Sequence, residues 1–130
     1  MAKLNEIIQW CNQTLKSHEF KDYAPNGLQI EGKSDVNKIL CAVTASQDAI
    51  DAAIEQGADL LLVHHGYFWK GEPYPITGMR GKRIKSLIQH DISLVGYHLP
   101  LDSHPTLGNN AAIADILALE NIEALDPSER

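Results

Sequence analysis

Two histidines stand side by side, His64 and His65, at the end of the apolar run Asp59-Leu60-Leu61-Leu62-Val63, with Gly66 behind them. A third, His98, closes a second apolar run that begins at Ser93, and Asp102 and His104 follow it within one short segment. Imidazole is the commonest metal-binding side chain and the usual acid or base near neutral pH. Together the five offer nitrogen and oxygen ligands suited to zinc, iron, manganese or nickel, and no nearby cysteine points to a purely structural zinc. A catalytic ion needs about three protein ligands and one open position, where a water of lowered pKa becomes the nucleophile. His64, His65 and Asp102 are the first-choice metal ligands. His98 is a weaker ligand or a partner to one, with a catalytic role, and His104 is a catalytic proton carrier or substrate contact. Because neighbours on an extended chain point to opposite sides, His64 and His65 are expected to reach two different metals, or one metal and one substrate. The competing reading is a polar cap on a buried strand, with both rings hydrogen-bonded to backbone.

The elements that must position these residues follow from the apolar pattern. Four consecutive apolar residues before His64 read as a central strand of a parallel sheet, covered on both faces. Further strands are expected at Leu28 to Ile30, Ile39 to Val43 and Ser93 to Tyr97. Helices are expected from Leu4 to near His18, after Ser46 as a capping residue until Gly57, around Ile84 to Ile88, and from Ala111 to Leu119 with a cap at Asn109 or Asn110. Helix and strand alternate, so the fold class is α/β, a mainly parallel sheet with flanking helices. Right-handed crossovers then put the carboxyl ends of the parallel strands on one edge, where ligands gather, and His98 should emerge beside His64 and His65. The prolines at 100 and 105 read as marks of a loop, from which Asp102 and His104 converge on the pair. Pro25-Asn26-Gly27 is a turn in which Asn26 takes the left-handed conformation. The segment from Gly66 to Gly78 is irregular, a lid or an interface, and Phe68 and Trp69 either stack on a planar substrate or pack over a core edge or subunit contact.

The 130 residues suffice for one domain, 1–130, with a core of its own. With 44% hydrophobic and 22% charged residues, the chain is expected to be a folded, cytoplasmic protein without a membrane span or leader. A net charge of −6 disfavours nucleic acid, which requires a basic surface. Arg80, Lys82, Arg83 and Lys85 read as a solvated helix face. Cys11 and Cys41 belong to no CxxC pattern and read as small core residues.

With these residues in hand, the chain resembles the dinuclear metal-centre proteins of the NIF-three-like family, the GTP cyclohydrolase 1 type 2 homologues. The resemblance rests on DYAPNGLQIEG from Asp22, VTAS from Val43, VHHGYFWKG from Val63 and HLPLDSHPTLGNN from His98. It implies one lobe of a larger, two-lobed α/β fold, metal at His64, His65 and Asp102 with His98 close by, and ring-shaped homohexamers carrying two metals per subunit. It also implies a metal-dependent hydrolase acting on a nucleotide-like or heterocyclic small molecule. The alternative is a metal-binding assembly or regulatory module without chemistry. Two ligands from the family's second half have no counterpart here. The expectation is therefore a weakened, mononuclear or empty site in an amino-terminal lobe that self-associates to cover apolar surface.

Overall fold

The structure, a computed structural model, describes residues 1–125. After a two-residue strand, β1 (Ala2–Lys3), the first helix, α1 (Leu4–Leu15), buries Leu4 and Cys11 at helical spacing. Its start is tied by the Glu6 carboxylate, which accepts the Lys3 N–H at 3.4 Å, and it ends at Lys16 in the left-handed conformation. Then come β2 (Gly27–Ile30), β3 (Asp35–Val36), β4 (Ile39–Thr44), α2 (Gln47–Glu55), β5 (Leu60–His65), α3 (Gly78–Gln89), β6 (Ser93–Gly96), α4 (Leu99–Asp102) and α5 (Asn109–Ile116). Ser46 caps α2 as its type predicts, accepting the Ala49 N–H at 3.2 Å.

Strand order in the main sheet is β2-β6-β5-β4, and β1 pairs with β3 in a small separate ribbon. The β4–β5 and β5–β6 pairs are parallel, and β2 runs antiparallel to β6 with Gly27 opposite Gly96. The sheet is thus mainly parallel, as the apolar runs imply, with one reversed edge strand. On one face, α2 and α3 close a core of Ile50, Ala53, Leu61, Val63, Ile84, Leu87 and Leu94. On the other, α1 covers Leu60, Val95 and Tyr97. Fully burying such an aliphatic side chain is worth about 1.5–3 kcal/mol, so the fully buried Leu60, Leu61, Leu94 and Val95 at the sheet centre anchor the fold. At the far end of β5 the buried Asp59 carboxylate accepts the Asn37 and Lys38 amides at 2.9 and 3.2 Å and pairs with Lys33. The Asn37 amide leads in holding this carboxyl below its ordinary pKa, so Asp59 clamps the sheet and stands apart from the histidines.

Five local expectations need correction. Leu99 to Asp102 is one turn of helix, because a proline in the first turn gives up an N–H that has no helical partner in any case. In the Pro25-Asn26-Gly27 turn the positive φ, +110°, belongs to Gly27 and not to Asn26. Cys41 is exposed, since β4 is an edge strand and α1 reaches only the strands beside it. Helix α5 begins at Asn109, two residues before the expected start, with Gly108 at its cap and no side-chain cap bond. In α3, Lys82 and Lys85 are exposed, while Arg80 donates to Glu72 and to the Pro73 and Pro75 carbonyls, fastening the irregular segment before the helix.

Candidate metal centre

At the carboxyl edge of the sheet, β5 outruns β6: Val63 pairs with Gly96, and His64 and His65 lie beyond that last pair. Freed from a neighbour on that side, the two rings lean together over the edge, centroids 4.4 Å apart, and do not serve opposite faces as strict alternation implies. His98, at the start of α4, brings its ring within 5.2 Å of His64 and 5.7 Å of His65. One ring nitrogen from each of the three lies within 4.8 Å of the others. The expected meeting of His98 with the pair is thus observed.

Each ring is pinned through Nδ1. His64 Nδ1 lies 2.9 Å from the Tyr97 carbonyl, which can only accept, so this nitrogen carries the proton. Tyr97 is itself fixed under α1, its hydroxyl donating to Asn12 Oδ1 at 2.8 Å. His65 Nδ1 meets Thr44 Oγ1 at 3.2 Å, on the neighbouring strand. His98 Nδ1 meets Asp22 Oδ1 at 3.0 Å. Asp22 comes from the loop before β2, and it arrives here because β2 is antiparallel, which carries the amino end of that strand to the edge where the others finish.

Electrostatics favour the neutral form of His65. Burial, with the neighbouring His64 and His98, pushes the His65 pKa down against the pull of Asp102. For Asp22, burial alone would raise the pKa. Hydrogen bonds from His98, Asn26, Leu99 and Tyr23 outweigh it and bring the carboxyl down to about 2. Asp102 Oδ1 stands 3.4 Å from His64 Nε2. With Nδ1–H already given to Tyr97, that pair sets one lone pair against another, an arrangement that a cation or a donor must bridge. Asn109 Nδ2 fills this place, 2.8 Å from Asp102 Oδ1 and 3.4 Å from His64 Nε2. The donor set therefore fits a divalent metal: three imidazoles, each with a ring nitrogen within 4.8 Å of the other two, and a carboxylate at the margin.

His104 lies outside the three-histidine group. Its Nδ1 accepts the amides of Thr106 and Leu107 at 3.3 and 3.0 Å, which closes the turn between α4 and α5. Trp69 stands edge-on to His98, centroids 4.9 Å apart, and Tyr23 lies 5.5 Å from the same ring. Phe68 packs against the core below, at a φ of +66°. On the other side of His64 an apolar groove of about 340 Å³ runs between α1 and β4, past Trp10, Cys41, Val43 and Leu62. Neither Asp22 nor Asn109 is among the site residues expected from the sequence, which reads Asn109 only as a helix cap. The signal for Asp22 was the stretch DYAPNG, which reads as turn chemistry until β2 is known to be antiparallel.

Set against known proteins, residues 2–130 match the sequence profile of Duf34/NIF3, NGG1p interacting factor 3. The chain belongs to the Duf34/NIF3 family. A relative from Neisseria meningitidis serogroup B, named GTP cyclohydrolase 1 type 2 homolog, is 59% identical over 117 residues, covering 90% of this chain and 47% of its own. One of the same name from Haemophilus influenzae is 59% identical over 121 residues, covering 93% of this chain and 48% of its own. Among solved structures, "protein ybgI, unknown function" superposes with a TM-score of 0.94 at 52% identity, covering 97% of this chain and 51% of that one. The α/β fold is thus that of the Duf34/NIF3 proteins, and the chain spans about half the length of the relatives it matches. No helix among the described residues is long and apolar enough to cross a membrane.

Proposed function

We propose that this chain is a divalent-metal-binding lobe of a metal-dependent hydrolase, acting on a nucleotide-like or heterocyclic small molecule. The observation that carries this reading is the mutual approach of His64, His65 and His98 within 4.8 Å, each ring held by its Nδ1. His64, His65 and His98 would hold the ion, with Asp102 as a fourth ligand reached from His64. Bound there, a divalent cation supplies Lewis acidity that activates water or polarises a substrate atom. Around it, Asn109, whose Nδ2 lies 2.8 Å from Asp102 Oδ1, offers a donor that orients polar groups of a substrate. Trp69 and Tyr23 offer aromatic surface to a flat heterocycle and limit water on that side. The relatives' name, GTP cyclohydrolase 1 type 2 homolog, agrees with such a substrate. Dialysis against a chelator followed by zinc, manganese, iron or nickel titration should return bound metal and raise Tm. Absence of both would end the reading.

A second reading, a metal-binding module that assembles without chemistry, is favoured by the exposed Val43, Ile113 and Ile116. Turnover of GTP and related heterocycles, abolished in His65→Ala and Asp102→Ala, selects the hydrolase. Metal binding with no turnover selects the module. In either case we propose a homo-oligomer, hexameric as in the resemblance, and its mass in solution by light scattering is the check.

A further inference from the structure

We propose that Asp22 is a positioning residue of the metal centre: its carboxylate accepts the Nδ1–H of His98 and so fixes Nε2 as the lone-pair nitrogen facing the ion. This role rests on the metal reading of the three-histidine group. The Asp22 side chain is only 2% exposed, although its loop lies at the surface, and its partners leave it no freedom. Oδ1 accepts the Tyr23 and Ala24 amides at 2.7 and 3.3 Å, and Oδ2 accepts Asn26 Nδ2 and the Leu99 amide at 3.0 and 2.9 Å. Four donors around one carboxyl leave it ionised and able only to accept. Next to such a group, a neutral His98 has a single satisfactory tautomer, with its proton on Nδ1.

The same loop grips the main chain of His98, because Asn26 Oδ1 accepts the His98 N–H at 2.7 Å while its Nδ2 is held by Asp22. Ring and backbone are thus fixed by two side chains from a loop that is distant in sequence. Carboxylates placed in this way behind a ligating imidazole set its tautomer and orientation, and their loss weakens metal affinity by about 10- to 100-fold. A merely structural clasp on the Leu99 amide would account for Oδ2. It would not require an acceptor-only atom at the imidazole.

The test uses the full chain, labelled with nitrogen-15 at histidine, in mildly alkaline buffer. Long-range proton–nitrogen correlation reads the tautomer of each ring without metal, and competition with a chromophoric chelator reads zinc affinity. The wild-type chain should show His98 protonated on Nδ1. In Asp22→Asn the carboxamide can turn its NH₂ to the ring, so the Nε2-protonated form of His98 should rise, zinc affinity should fall about 10- to 100-fold, and His64 should keep its tautomer. Wild-type zinc binding with His98 protonated on Nε2 overturns the role of Asp22 alone, as does a folded Asp22→Asn chain with wild-type affinity. The wild-type tautomer needs no variant and decides the matter if Asp22→Asn does not fold. A wild-type chain with the expected tautomer that binds no zinc overturns the metal reading, and this role with it.

Discussion

The three imidazoles differ in what holds them, and substitutions at each should therefore differ in effect. His98→Ala removes a ring whose backbone stays tied to Asn26, so the fold should survive while zinc affinity drops at least tenfold, as read by calorimetry. His104→Ala should do the reverse. It frees the Thr106 and Leu107 amides, costing about 1 kcal/mol in chemical denaturation, and leaves zinc affinity unchanged. The Asp22 carboxyl also gives a dependence on pH whose sign is fixed. Its folded-state pKa, about 2, lies below the ordinary value near 4, so its contribution is complete above that value and is lost as pH falls from about 4 to about 2. In urea titrations across that window, the stability gap between wild type and a folded Asp22→Asn chain should narrow steadily. A gap that stays constant would mean that Asp22 is not held ionised by its neighbours.

At the level of elements, the histidine pair depends on the glycine after it for space and not for a special dihedral. A Cβ on Gly66 would stand 2.1 Å from Gln29 Oε1, the atom that accepts the Tyr67 amide at 2.8 Å. Gly66→Ala should therefore cost about 1–3 kcal/mol, and most of that cost should vanish when Gln29 is first changed to Ala, a coupling that a double-mutant cycle in urea reads directly. How much of this was legible in the sequence depends on the kind of signal. The run Leu60 to Val63 and the run Ser93 to Tyr97 announced two buried strands, and parallel crossovers then required His98 to meet the pair. Nothing in Leu28-Gln29-Ile30 states a direction, so the reversal of β2, and with it the arrival of Asp22, could not be read from the chain. Pro100 was read as a breaker where it begins a helical turn. Cys41 looked like core because an edge strand carries the same alternation as a central one.

For the molecule as a whole, one face of the sheet is only partly covered. Helix α1 lies over β5 and β6, while Val43 is 69% exposed on β4 and Ile116 is 81% exposed on α5. Large apolar side chains exposed in this way favour association. Val43→Lys with Ile116→Lys should lower the mass seen by light scattering and leave the Tm of the dilute protein within a few degrees, since neither side chain is in the core. An unchanged mass would move the contact elsewhere. The chain also divides its labour between the two rims of the sheet. Every group near the histidines sits on one rim, and the turns around Gly32, Gly57 and Asp91 occupy the other. Of these, Gly57 has no atom within 4 Å of where a side chain would begin, whereas Gly32 abuts the Asp91 carbonyl. Gly57 also holds a φ of +63°, so a fluorescent reporter spliced in just beside it, with the glycine itself kept, would travel with the protein yet leave its chemistry alone.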